Sequence, residues 1–202
     1  MRNLIITLSL LLFITTSCSS DDSDDACTPI ECLNGGIETV DCGCDCSEGY
    51  AGSDCSSQID PSAILINKIT ITSFPLLKPN GDYWDNSLLD LLSDDKYPDI
   101  YVQLINGTTL ETLYFPVINY INVEDSLSEL EFTPSEPISI QDYDDNIVLA
   151  IFDYDEDEDP VTELMDSIEL DLYFNTNNFP VESIFVSESF LSNVILELSY
   201  EF

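Results

Sequence analysis

The densest run of oxygen donors in this sequence is FDYDEDEDP, residues 152–160. Asp153, Asp155, Glu156, Asp157 and Glu158 are close-set within it and Asp159 follows at once. The run comes directly after the apolar NIVLAIF. In an extended strand alternate side chains share a side, so Asp153 and Asp155 face one way and Phe152 and Tyr154 the other. Carboxylates held side by side repel one another unless a cation lies between them. The chain has no histidine, and its cysteines all precede residue 56, which leaves carboxylate oxygens as the ligands here. Such donors suit a hard cation, calcium before zinc or copper. The competing reading is a solvated acidic loop. A second acidic stretch, KPNGDYWDNSLLDLLSDDKYPDIYVQL, adds Asp82, Asp85 and Asp99 as candidates, with Tyr83 and Trp84 among them.

The lack of histidine removes a histidine general base, a Ser-His-Asp triad, a Cys-His pair and a histidine-bound zinc from the possible chemistries. Charge narrows the partners. The chain has 4 Lys and Arg against 40 Asp and Glu, a net charge of −36. Nucleic acid and anionic lipid need basic groups to replace their counterions, so no nucleic-acid partner is expected. Paired carboxylates can hydrolyse a glycosidic bond, and that is the enzymatic alternative.

The elements that must hold these residues begin after an address segment. MRNLIITLSLLLFITTSC has a short basic start, an apolar run and small residues before Cys18, the physics of a secretory signal over residues 1–17. ITTSC resembles a bacterial lipobox. The resemblance implies cleavage before Cys18, lipid on its sulfur, and an outer-membrane lipoprotein exposed at the cell surface, its membrane contact made through that anchor. Residues 18–25 follow as an acidic tether with too few apolar groups to fold. SSDDSDD resembles the export tag of surface lipoproteins.

The remaining cysteines, Cys27, Cys32, Cys42, Cys44, Cys46 and Cys55, are an even set crowded into a short exported stretch. About thirty residues cannot bury an adequate core, so disulfides are expected to hold them. The spacing CTPIECLNGG followed by CDCSEGYAGSDC, with Asn34-Gly35-Gly36 and Gly49-Tyr50-x-Gly52, resembles an EGF-like domain over residues 26–56. That resemblance implies the pairs Cys27–Cys42, Cys32–Cys44 and Cys46–Cys55, although Cys42 comes later than the family's third cysteine. Residues 57–62 are expected as a linker.

From residue 63 to 202 the pattern has period two. INKITITSF, DIYVQLI, TLETLYF, ELEF, NIVLAIFDY, SIELDLYF and VILELSYEF alternate apolar with polar residues, and Pro, Asn and Asp clusters separate them. SLLDLL, residues 87–92, offers a turn or two of helix. The fold class expected is mainly β: a small disulfide-rich module followed by an antiparallel β-sandwich. The two acidic stretches resemble the calcium-binding loops of a C2 domain. PDIYV matches one loop entering its strand, and apolar strand then Asp-x-Asp matches the other. The resemblance implies calcium held by Asp99, by Asp82 or Asp85 as the first acid, by Asp153 and Asp155, and by Asp159 or Asp166 as the last. The function expected is non-catalytic: a lipid-anchored, cell-surface binding or adhesion protein, calcium-dependent, with an unknown protein or glycan as ligand. A structural subunit of a surface complex is a further alternative.

Overall fold

A computed structural model of the chain describes residues 30–85, 96–117, 120–155, 161–174, 176–189 and 191–202. The signal segment, Cys18, the tether, Cys27, SLLDLL and Asp159 lie outside the described residues. Every regular element among the described residues is a strand. The small module uses β1 (Ile37–Glu38), β2 (Cys44–Asp45), β3 (Tyr50–Ala51) and β4 (Ser57–Gln58) as two short antiparallel pairs. Cys32–Cys44 and Cys46–Cys55 are bridged, as the cysteine pattern implies. Cys42 is also disulfide-bonded. The chain is therefore mainly β, with a small disulfide-rich module ahead of larger antiparallel sheets.

The rest forms two antiparallel sheets over one core. One sheet has the order β11 (Thr162–Leu170), β10 (Ile147–Tyr154), β6 (Ile100–Asn106), β7 (Thr112–Tyr114). The other has the order β12 (Glu182–Val186), β13 (Asn193–Glu201), β5 (Ala63–Ser73), β8 (Leu130–Phe132), with β9 (Ile138–Ile140) also paired to β5. Their inner faces meet in a cluster that includes Ile64, Ile71, Val102, Leu149, Ile168 and Leu196. The alternation that builds it slips in the sequence. Ile64 and Ile66 are followed by Ile69 and Ile71, an odd step that would turn half of β5 outward. The pairing with β13 absorbs it, because Glu197 faces Lys68 while Leu198 faces Ile66. Asn67 is the extra residue, a bulge whose amide donates to Ser199 Oγ at 3.1 Å, so both halves of β5 point inward.

Two strands, β9 and β12, were not separately expected. Both are short, and β12 is an edge strand with exposed Ile184. β11 begins at Thr162, earlier than SIELDLYF suggests. VTELMD alternates only if one residue is skipped. The register supplies that skip: Phe152 faces Leu164 while Ile151 faces Asp166, with Met165 bulged between.

The stretch expected as a linker, 57–62, is fastened to the sandwich. Gln58 donates to Tyr173 Oη at 3.1 Å and Asn177 Oδ1 at 3.2 Å, and accepts from the Asn178 amide at 2.9 Å. Tyr143 Oη donates to Pro61 O at 2.8 Å. Tyr50 of the module meets Phe179 edge-on at 5.5 Å, and Phe179 in turn meets Phe202 at 4.9 Å. Gly49 makes that approach possible. Its φ is +85°, and a Cβ there would stand 2.6 Å from the Phe179 ring. The module therefore sits at the end of the sandwich where β5 begins. The acidic stretches sit at the end where β5 finishes, some 35 Å along an eleven-residue strand.

Candidate metal centre

Asp153 is placed by β10. Ile147, Leu149 and Ile151 precede it on the inner face and are all buried, and Asp153 takes the next inward position with no exposed surface. The strand's apolar face thus ends in a carboxylate at the rim of the core. Its Oδ1 accepts the Asp99 amide at 2.7 Å, while Oδ2 is buried without a hydrogen-bond partner. Asp155, two residues on, is half-buried. Its amide donates to Val161 O at 2.9 Å, which closes the neck of the β10–β11 loop. Asp85 comes from the other acidic stretch. Trp84, 3 % exposed, donates Nε1–H to Pro75 O at 2.8 Å. That anchor carries Asp85 inward to 4 % exposure, with its Oδ1 unpartnered.

Asp85, Asp153 and Asp155 each offer one carboxylate oxygen, and these oxygens lie within 4.8 Å of one another. Buried carboxylates resist ionising because they have lost their water. Burial is the largest effect on Asp85, followed by the charge of Asp153, and together with Asp155 and Asp99 they push it up to about 9. Burial also dominates at Asp153, followed by Asp155, and it rises to about 7 even though the Asp99 amide opposes the shift. Two buried acids with unpaired oxygens facing a third define a place where a cation could replace protons. This buried triad could hold a metal ion.

The structure sorts the candidates. Asp85 reaches the cluster and Asp82 does not: Asp82 belongs to a tight turn, where Asn80 Nδ2 donates to its carboxylate at 2.7 Å and Lys78 N–H to its carbonyl at 2.8 Å. Asp99 flanks the cluster through its amide, and its own Oδ1 accepts the Asn122 amide at 2.6 Å. Asp166 is not brought to the cluster. It lies inside β11 opposite Ile151, and Ser189 Oγ donates to it at 2.9 Å. The acidic loop ends sooner than the sequence suggests, at the start of β11, so Asp166 links the two sheets at their edge. Asp159 lies outside the described residues.

Two contributors were not foreseen. Glu163 faces Asp153 across β10 and β11 and pairs with Lys78, whose Nζ stands 2.5 Å away. Asn122 fixes the 97–99 segment, accepting from the Tyr97 amide at 3.1 Å while its own amide binds Asp99. No local signal marks either residue, because Glu163 acts through the β10–β11 register and Asn122 through hydrogen bonds to a segment more than twenty residues away. Trp84, buried, caps this end of the core. No family model matches the sequence, and no curated protein resembles it significantly.

Proposed function

We propose that the chain is a lipid-anchored, cell-surface binding or adhesion protein whose far end is organised by calcium, with no catalytic activity of its own. The observation that carries this reading is the cluster of Asp85, Asp153 and Asp155, in which Asp85 Oδ1 and Asp153 Oδ2 are buried without a hydrogen-bond partner. Carboxylate oxygens with no histidine or thiol among them suit a hard cation, calcium before zinc or copper. Asp153 has no exposed surface, so it is a poor candidate to touch a substrate as a glycosidase carboxylate must.

In this reading Cys18 carries the lipid and the disulfide module, EGF-like by its cysteine pattern, spaces the sandwich from the outer membrane. The sandwich, C2-like in its two acidic stretches, presents its cation-bearing end outward. The docked module supports that picture, because it meets the sandwich at the end opposite the triad. The test is thermal melting with calcium against magnesium at equal ionic strength. Calcium is expected to raise the melting temperature well beyond magnesium, and Asp153→Asn with Asp155→Asn to abolish the difference. Equal shifts from both ions in parent and double variant would reduce the stretch to a solvated acidic loop.

A further inference from the structure

The chain's acids are not spread evenly over its surface. On the outer face of the four-stranded sheet, β6, β10 and β11 turn a single carboxylate outward, Glu169, in a molecule of net charge −36. The end of that face next to the triad carries a row of rings instead. Leu164, Phe152 and Tyr101 are consecutive cross-strand partners. Tyr101 and Phe152 stack at 5.1 Å, and Phe115 closes the row 5.4 Å from Tyr101. The two ends of the row are open, Leu164 at 56 % and Phe115 at 61 % exposure, while Tyr101 between them is buried. Beyond Phe115 the surface drops into a cleft of about 580 Å³ between β7 and the β8–β9 edge, floored by Tyr114, Phe132 and Pro137. Glu131 at its rim is paired with Lys68 at 3.1 Å, and Glu136 adds one exposed carboxylate to the lining. A contiguous apolar surface rimmed by polar groups marks a binding site.

We propose that this neutral aromatic row, with the cleft at its Phe115 end, binds an uncharged glycan chain. The choice of occupant follows from charge. A cationic partner would be drawn to the acidic ends of the molecule, not to a face where three strands turn out a single carboxylate. An anionic partner is repelled by the whole. What fits is a neutral ligand with apolar faces and hydroxyl groups. Phe115, more than half exposed, supplies an open ring for the C–H faces, and the flanks supply neutral hydrogen-bonding groups. Gln103 Nε2 donates to Thr112 Oγ1 at 2.7 Å on one side, and exposed Thr162 stands opposite Tyr154 on the other. The inference rests on reading the chain as a surface binding protein, and it needs no bound cation.

The experiment is affinity electrophoresis of the full chain, in EDTA, through gels containing soluble α-glucan, β-glucan, galactomannan or xylan, with alginate as the anionic control. Calorimetry with oligosaccharides cut from the retarding polymer follows. At least one neutral polymer should retard the protein, and alginate should not. Phe115→Ala and Leu164→Ser, each at a side chain more than half exposed, should each weaken binding about tenfold, about 1.4 kcal/mol, with unchanged melting temperature. Retardation by no neutral polymer, equal retardation by alginate, or binding untouched by both variants overturns the proposal. Because the gels contain EDTA, failure of the calcium reading leaves this result interpretable.

Discussion

The buried carboxylate of Asp153 makes the sharpest prediction, because removing its charge should help the protein under one condition and harm it under another. Its pKa rises from 3.8 to about 7 in the fold, a shift of roughly three units, and each unit is worth about 1.4 kcal/mol. Ionising Asp153 without a cation therefore costs the fold on the order of 4 kcal/mol. The sign follows from linkage. A folded pKa above the unfolded one gives stability that is full below pH 4 and lost as pH rises through 7. Asp85, raised to about 9, extends that loss to higher pH. In EDTA the parent should grow less stable from pH 5 to pH 9. Asp153→Asn keeps an oxygen to accept the Asp99 amide and removes the charge beside Asp85. At pH 9 in EDTA the variant should melt higher than the parent, by on the order of 10 °C at about 2–4 °C per kcal/mol. At pH 5 the gap should shrink to less than half of its size at pH 9, because the loss sets in at the unfolded value of 3.8. In calcium the order should reverse, because the variant has lost a charged ligand. Calorimetry at fixed ionic strength reads all three conditions. A variant that melts below the parent at pH 9 in EDTA would refute the argument that a desolvated charge strains this site.

Three further outcomes are expected. Trp84 is the chain's single tryptophan and adjoins Asp85, so a calcium titration should change its fluorescence with the same midpoint as the melting shift, and Asp85→Asn should remove the change. Gly49→Ala should cost about 1–3 kcal/mol, since its Cβ would collide with Phe179 and Phe202. The measurable sign is faster proteolysis within residues 57–62, and an unchanged cleavage rate would mean the module is not held there. Intact-mass analysis of protein made in a bacterial host should find a mature chain that starts at Cys18 with two or three acyl chains; a start elsewhere without lipid would remove the anchor.

Much of the fold was legible because its cues are local. Period-two alternation marked seven of the nine sandwich strands, and cysteine spacing marked a module that could not hold together without bridges. What escaped is equally specific. β9 and β12 are short and lie away from the middle of their sheet. β11 hid its start behind Met165, whose bulge can be recognised only once β10 lies beside it. For the same reason Asp166 looked like a loop ligand although it is inside a strand. The choice between Asp82 and Asp85 could not be made from spacing, since a turn closed by Asn80 and Gly81 takes one acid out to solvent and the buried Trp84 draws the other in.

The sequence alone determined that this chain is β-rich, stapled near its N-terminus, unable to use histidine chemistry, and strongly acidic, because composition and short-range pattern set those properties. It also determined that Asp153 and Asp155 share a side, which strand geometry requires. Only the tertiary structure decided that Asp153 lies on the inward face, that Asp85 meets it from a segment about seventy residues away, and that Asp99 turns its amide toward it. Only the cross-strand register gathered Leu164, Phe152 and Tyr101 into a charge-free row. Burial and long-range pairing are properties of two packed sheets, and no single stretch of sequence carries them.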